Sequence, residues 1–108
     1  MTTRFTSAFA LLFLLAATPA AAQKKGDPAK GKEVYEQCGV CHATATDEKK
    51  LGPSLKGLYK KPKMHNGKPT NDANVLHVIK KGANGMPAFE EILEDDEVTH
   101  LLAYLKTL

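Results

Sequence analysis

The sequence predicts an all-α domain, a small fold of three or four main helices, on three observations. Three stretches carry apolar residues at helical spacing between helix-start and helix-stop residues. No part of the chain shows the two-residue alternation of a strand. The interval between the first and second stretches, residues 43–71, is rich in Lys, Gly and Pro, and its short apolar pieces, Leu51 and Leu55 to Leu58, allow loops and one brief helical turn.

In chain order, residues 1–22 come first and read as a cleaved secretory signal. Arg4 is the only early charge, an apolar run extends from Phe9 to Ala17, and small residues Ala20 to Ala22 form the exit. A membrane span needs about 20 apolar residues, whereas this run is broken by Pro19 and followed by Gln23, Lys24 and Lys25. No Cys lies near the cut, so a lipid anchor is not expected. The expectation is a soluble, exported domain over 23–108, periplasmic and not membrane-anchored.

Each helical stretch has its own start and stop. Asp27 and Pro28 suit the N-cap and first helical position of a helix carrying Ala29, Val34 and Tyr35 inward. Asp72 to Lys81 places Val75, Leu76, Val78 and Ile79 on apolar positions, ends in two lysines, and meets Gly82 as terminator. Gly85 to Phe89 reads as a loop. Glu94 to Leu108 closes the chain, with acids Glu94 to Glu97 at the positive helix end and Val98, Leu101, Leu102 and Leu105 as the buried stripe.

The core predicted from these helices is thin. A domain this short removes only about 60 to 65% of its unfolded surface from water. Three of the four Phe fall within residues 1–22, there is no Trp, and Tyr35, Tyr59, Tyr104 and Phe89 are the aromatics that remain. Small domains compensate with disulfides, metal or a cofactor. The chain has two Cys, separated by two residues, and a bridge that short closes almost no loop.

Those two cysteines belong to Cys38-Gly39-Val40-Cys41-His42, the pattern of c-type haem attachment. Cysteines three apart on a helical turn face the same way, so both sulfurs can bond the two vinyl groups along one side of a haem while His42 reaches the iron. A zinc site would need about four N or S ligands, and only the scattered His65, His77 and His100 remain to supply them. A thioredoxin-like pair expects a βαβ context, which is missing. For the second face of the iron Met86 leads, flanked by Gly85 and Pro87, which fix the backbone. The alternatives are Met64, in a loop that looks mobile and solvent-exposed, and His77 or His100, which would give a bis-His iron. His77 is expected to face solvent and His100 to lie beside Tyr104.

With a capped helix before the haem motif, a Met loop after it and a closing helix, the chain from 23 to 108 resembles class I cytochrome c. Gly31 and Tyr35 resemble that family's small and aromatic positions on the first helix, and Leu101 to Leu105 its C-terminal helix, whose aromatic packs against them. Gly52 to Leu58 resembles the segment after the haem motif. The resemblance implies that the Pro53 carbonyl accepts a hydrogen bond from the far ring nitrogen of His42. Gly85-Met86-Pro87-Ala88-Phe89 is similar to the bacterial axial-Met segment. The family often uses Trp, Tyr or Arg toward the buried haem propionate; with no Trp and no Arg after Arg4, Lys61 or Tyr59 is the expected substitute. Residues 60–71 match no one subgroup.

The function expected is that of a monomeric, non-enzymatic carrier with one haem c, held by Cys38 and Cys41 and ligated by His42 and Met86, moving single electrons between respiratory or dehydrogenase partners. Met as sixth ligand raises the potential relative to bis-His. The chain's net charge of +3 becomes +2 without Arg4, but nine Lys fall between Lys49 and Lys81 and six acids between Glu90 and Glu97. That dipole suits an acidic docking face on a redox partner. Aromatics interleaved with the basic residues are too scarce for nucleic acid. The alternatives are a haem-bearing subunit of a larger dehydrogenase or oxidase complex and, with an open sixth position, a gas sensor or weak peroxidase.

Overall fold

The structure is a computed structural model and describes residues 25–108. The expected signal segment and its cleavage point lie outside the described residues. Three α-helices, α1 (Pro28–Tyr35), α2 (Asp72–Lys81) and α3 (Asp95–Leu105), and one 3-10 turn (Leu58–Lys60) make the fold. Among the described residues the only β pairing is in two isolated bridges, Lys63 with Pro69 and Ala83 with Met86. No described helix is long and apolar enough to cross a membrane.

α1 starts as its sequence requires: the Asp27 carboxylate accepts from the Ala29 amide at 2.9 Å, and Pro28 takes a position that needs no N–H partner. Its inward face differs from the apolar spacing. Ala29 is exposed, and Gly31 and Tyr35 are the buried residues. The reason is the closeness of the α1–α3 crossing. A Cβ at Gly31 would collide with the His100 carbonyl and stand 2.7 Å from the Tyr104 Cβ, so only glycine lets the two backbones meet.

α3 is nucleated by Glu97, whose carboxylate accepts from the Glu94 amide at 2.8 Å, and by Asp95 and Asp96 beside it in the first turn. It ends at Leu105, three residues before the expected end, in a turn closed by Leu108 N–H to the Leu105 carbonyl. Val98, Leu101 and Leu105 are buried, while Leu102 is half-buried. α2 has the predicted bounds, with the Asn71 side chain capping the Asn74 amide at 2.8 Å and Gly82, at φ 74°, turning the chain out of the helix. Val75 and Ile79 face the core, and Leu76 and Val78 are half-buried at its edge.

The core gathers Tyr35, Val75, Ile79, Leu93, Val98, Leu101 and Leu105, with Leu101 at its centre. In the segment 43–71, residues 62–70 form a closed hairpin, held by Met64 N–H to the Lys68 carbonyl at 2.8 Å and Thr70 N–H to the Pro62 carbonyl at 3.1 Å, with Pro62, Lys63 and His65 to Lys68 exposed as expected. Gly67, at φ 81°, supplies the left-handed turn, and Met64 is half-buried against the core. The signal was present in Asn66-Gly67, a turn-forming pair. The 3-10 turn is tied to both later helices: the Tyr59 hydroxyl donates to Asp72 at 2.9 Å, and the Lys106 ammonium pairs with the same carboxylate at 2.9 Å while lying 5.6 Å from the Tyr59 ring centre.

Candidate haem site

Beyond Tyr35 the chain stays wound. The amides of Cys38 and Gly39 donate to the Tyr35 carbonyl, and those of Cys41 and His42 to the Cys38 carbonyl, at 2.7 to 3.1 Å. Cys38 and Cys41 therefore sit one helical turn apart on the same side. Both are half-buried free thiols. Burial, with the neighbouring Cys41 second, pushes the Cys38 thiol up from its ordinary value.

The next segment locks His42. Gly52 N–H donates to the Cys41 carbonyl and Leu55 N–H to the Ala43 carbonyl, both at 2.8 Å. The carbonyl between them, that of His42, accepts from the Tyr35 hydroxyl at 2.6 Å. The His42 ring nitrogen Nδ1 lies 2.7 Å from the Pro53 carbonyl. A carbonyl can only accept, so Nδ1 is the donor in this bond, and in the neutral ring Nε2 keeps its lone pair. Gly52 walls the ring, since a Cβ there would lie 2.5 Å from Cε1 and 2.8 Å from Nδ1. Sequence reasoning named Pro53 and missed Gly52 and the Tyr35 hydroxyl; the pairing of a small residue with Pro53 was the one available sign of a close approach.

Met86 is presented separately, from the turn that follows α2. Ala83 and Met86 exchange backbone hydrogen bonds at 3.0 and 3.2 Å around Gly85, whose φ of 78° at the third turn position is that of a type II turn. Phe89 N–H then hooks the loop to the Ile79 carbonyl at 3.0 Å. The side chain of Met86 is half-buried. His77 is exposed, as expected. His100 and Tyr104 both flank Gly31, and His100 Nδ1 accepts from the Asp27 amide at 2.8 Å. This ring serves to anchor α1 and is occupied. Among the described residues no cluster of three or more His, Cys, Asp or Glu could hold a metal ion, which leaves zinc without a site there.

The residues fit a haem. Two thiols one helical turn apart and a histidine held by its Nδ1 are the donors that haem c attachment takes, and a methionine on a backbone-fixed loop is a donor type that such an iron accepts. Of the two residues expected near the propionate, Tyr59 gives its hydroxyl to Asp72 and Lys61 is exposed.

Comparisons with known proteins identify the family. The family profile described as cytochrome c oxidase, cbb3-type, subunit III matches residues 26–105. Cytochrome c6 of Diacronema lutheri is 31% identical over 81 residues, which span 74% of this chain and 94% of that protein. Cytochrome c2 of Blastochloris viridis is 51% identical over 51 residues, 44% of this chain and 38% of that one. The solved structure of cytochrome c6 from the diatom Phaeodactylum tricornutum superposes with a TM-score of 0.61 over 76% of this chain and 93% of its own, at 24% identity, and so shares the fold. The chain thus belongs to the cytochrome c family, in the branch of the cbb3-type profile and among the class I proteins, and its cofactor is covalently bound haem c.

Proposed function

We propose that this protein is a periplasmic single-haem electron carrier, exported by cleavage after Ala22, with haem bound through Cys38 and Cys41 and ligated by His42 and Met86. The observation that carries it is the fixed His42 ring, with Nδ1 on the Pro53 carbonyl at 2.7 Å and Nε2 left free to bind iron. The haem supplies an iron that accepts and releases one electron. The chain supplies ligands that do not rearrange between the two states. His42 is held by its ring, its carbonyl and the Gly52 wall, and Pro53 raises its basicity as a ligand. The Met86 loop is closed by its own backbone pairs, so Met86 is carried on a fixed backbone; with Met86 bound, no open position would remain for a sensor or peroxidase.

Charge supports a protein partner with acidic groups at its docking face. Two of the nine lysines are already used, Lys81 with Glu90 at 2.7 Å and Lys80 with Asp95 at 3.4 Å. The seven from Lys49 to Lys68 supply the positive charge such docking would use, with Lys56 only loosely near Asp47 at 3.8 Å. Docking through such a face is steered and salt-sensitive. A second reading, a haem subunit within a larger complex, is favoured by the description of the family profile and by Val40 and Leu51. These are 74% and 84% exposed on segments paired through Gly52 N–H and the Cys41 carbonyl. Co-purification with a membrane oxidase or dehydrogenase would support that reading; a freely diffusing monomer would not.

Optical spectra of Met86→Ala and Met64→Ala test the ligand set. The first should lose the methionine-to-ferric-iron charge-transfer band and lower the potential, and the second should keep both. The reverse result would move the ligand to Met64. Carbon monoxide should bind the unsubstituted ferrous protein little at neutral pH.

A further inference from the structure

We infer that Tyr35 is a positioning residue for His42, through its hydroxyl, an assignment that rests on His42 being the axial ligand proposed above. Three successive carbonyls, of Cys41, His42 and Ala43, leave the haem motif. The outer two are taken by amides of the 52–55 segment, Gly52 and Leu55. The middle one faces α1, and the Tyr35 hydroxyl is its donor at 2.6 Å. Removing the hydroxyl leaves a part-buried acceptor unsatisfied and the His42 peptide held from one side only.

The donor is itself held. Tyr35 is the last residue of α1 and is 8% exposed, and its ring meets that of Tyr104 on α3 at 5.3 Å between centres, tilted by 50°. Its carbonyl accepts the Cys38 and Gly39 amides, so backbone and side chain of one residue brace both ends of the haem motif. The helix pair at the centre of the fold is thereby joined to the ligand peptide. Pro53 fixes the imidazole from the opposite segment. Rotation of the His42–Ala43 peptide, which would swing the imidazole plane, is opposed by the Tyr35 hydroxyl, beside the bond from the His42 amide to the Cys38 carbonyl.

Tyr35→Phe in the haem-loaded protein isolates this role, because the ring pair with Tyr104 survives. The variant should keep covalent haem and helical circular dichroism. Its ferric proton spectrum should show a changed order or spacing of the haem methyl signals, which report the orientation of the axial imidazole plane, and its electron self-exchange should slow several-fold. Tyr104→Phe, which leaves the hydroxyl bond in place, should change neither. A Tyr35→Phe protein with an unaltered methyl pattern and unaltered self-exchange overturns the inference. Should that variant not fold, the unsubstituted protein decides: a slowly exchanging Tyr35 hydroxyl proton close to the His42–Ala43 peptide supports the bond, and a freely exchanging one refutes it. Shifted His42 ring protons in the unsubstituted ferric protein separate the two levels. Their absence removes the ligand assignment; their presence beside a silent Tyr35→Phe removes only the role of Tyr35.

Discussion

The two sides of the proposed iron site are built differently. His42 is held at three points, with its ring nitrogen on Pro53, its ring face on Gly52 and its carbonyl on Tyr35. Met86 is held through the backbone of its own loop, by Ala83 and by two glycines in left-handed conformations, Gly82 and Gly85. The first side is fixed by tertiary packing and the second by local turn chemistry. Disturbing the first should cost the fold, whereas disturbing the second should cost the ligand and leave the fold and the covalent haem.

Substitutions grade that contrast. Gly52→Ala should have the largest effect, since its Cβ would stand 2.5 Å from the His42 ring; overpacking of this kind costs about 1–3 kcal/mol, read as a lower denaturant midpoint with a disturbed haem spectrum. Gly82→Ala comes next. Its left-handed φ of 74° and a Cβ 2.6 Å from the Met86 carbonyl should displace the loop and weaken the Met charge-transfer band while the haem stays covalently bound. Gly85→Ala, where a Cβ meets nothing within 4 Å, carries only conformational strain of about 1 kcal/mol and should leave the spectrum nearly unchanged.

Two smaller effects are pH-dependent and fall on opposite sides of neutrality. Burial pushes the Tyr35 hydroxyl up to about 12. Its folded value lies above the unfolded one, so its contribution is complete below pH about 10 and is lost as pH rises toward 12; Tyr35→Phe should flatten that part of the stability profile. Asp72 is lowered, first by its hydrogen bond to Lys106 and also by that from Tyr59. Its contribution is present above about pH 4 and lost as pH falls through the lower folded value. The pair is largely exposed, so Asp72→Asn should cost about 1 kcal/mol at most and blunt the acid limb.

Much of this was legible in the sequence because the signals were local. Asp27 with Pro28, the bounds of α2, Gly82 as terminator, and the Cys38-Cys41-His42 spacing each rest on neighbours within a turn or two. The contacts that were not legible join distant segments. Nothing near Gly31 shows that the His100 carbonyl comes against it, and the face of α1 was misread at Ala29 for that reason. Tyr35 offered an aromatic ring at a packing position, but where its hydroxyl ends depends on the path from Cys38 to His42. Likewise nothing near Tyr59 shows that Asp72 and Lys106 come to it, from α2 and from the end of α3.

The central claim is a low-spin iron held between His42 and Met86, and the proton spectrum of the reduced, haem-loaded protein tests it most directly. Ferrous low-spin haem moves the methyl signal of a bound methionine far upfield by its ring current. One such signal, assigned to Met86 through its connection to the neighbouring Gly85 and Pro87, is the predicted result. An upfield methyl belonging to Met64, or none at all, would contradict the account.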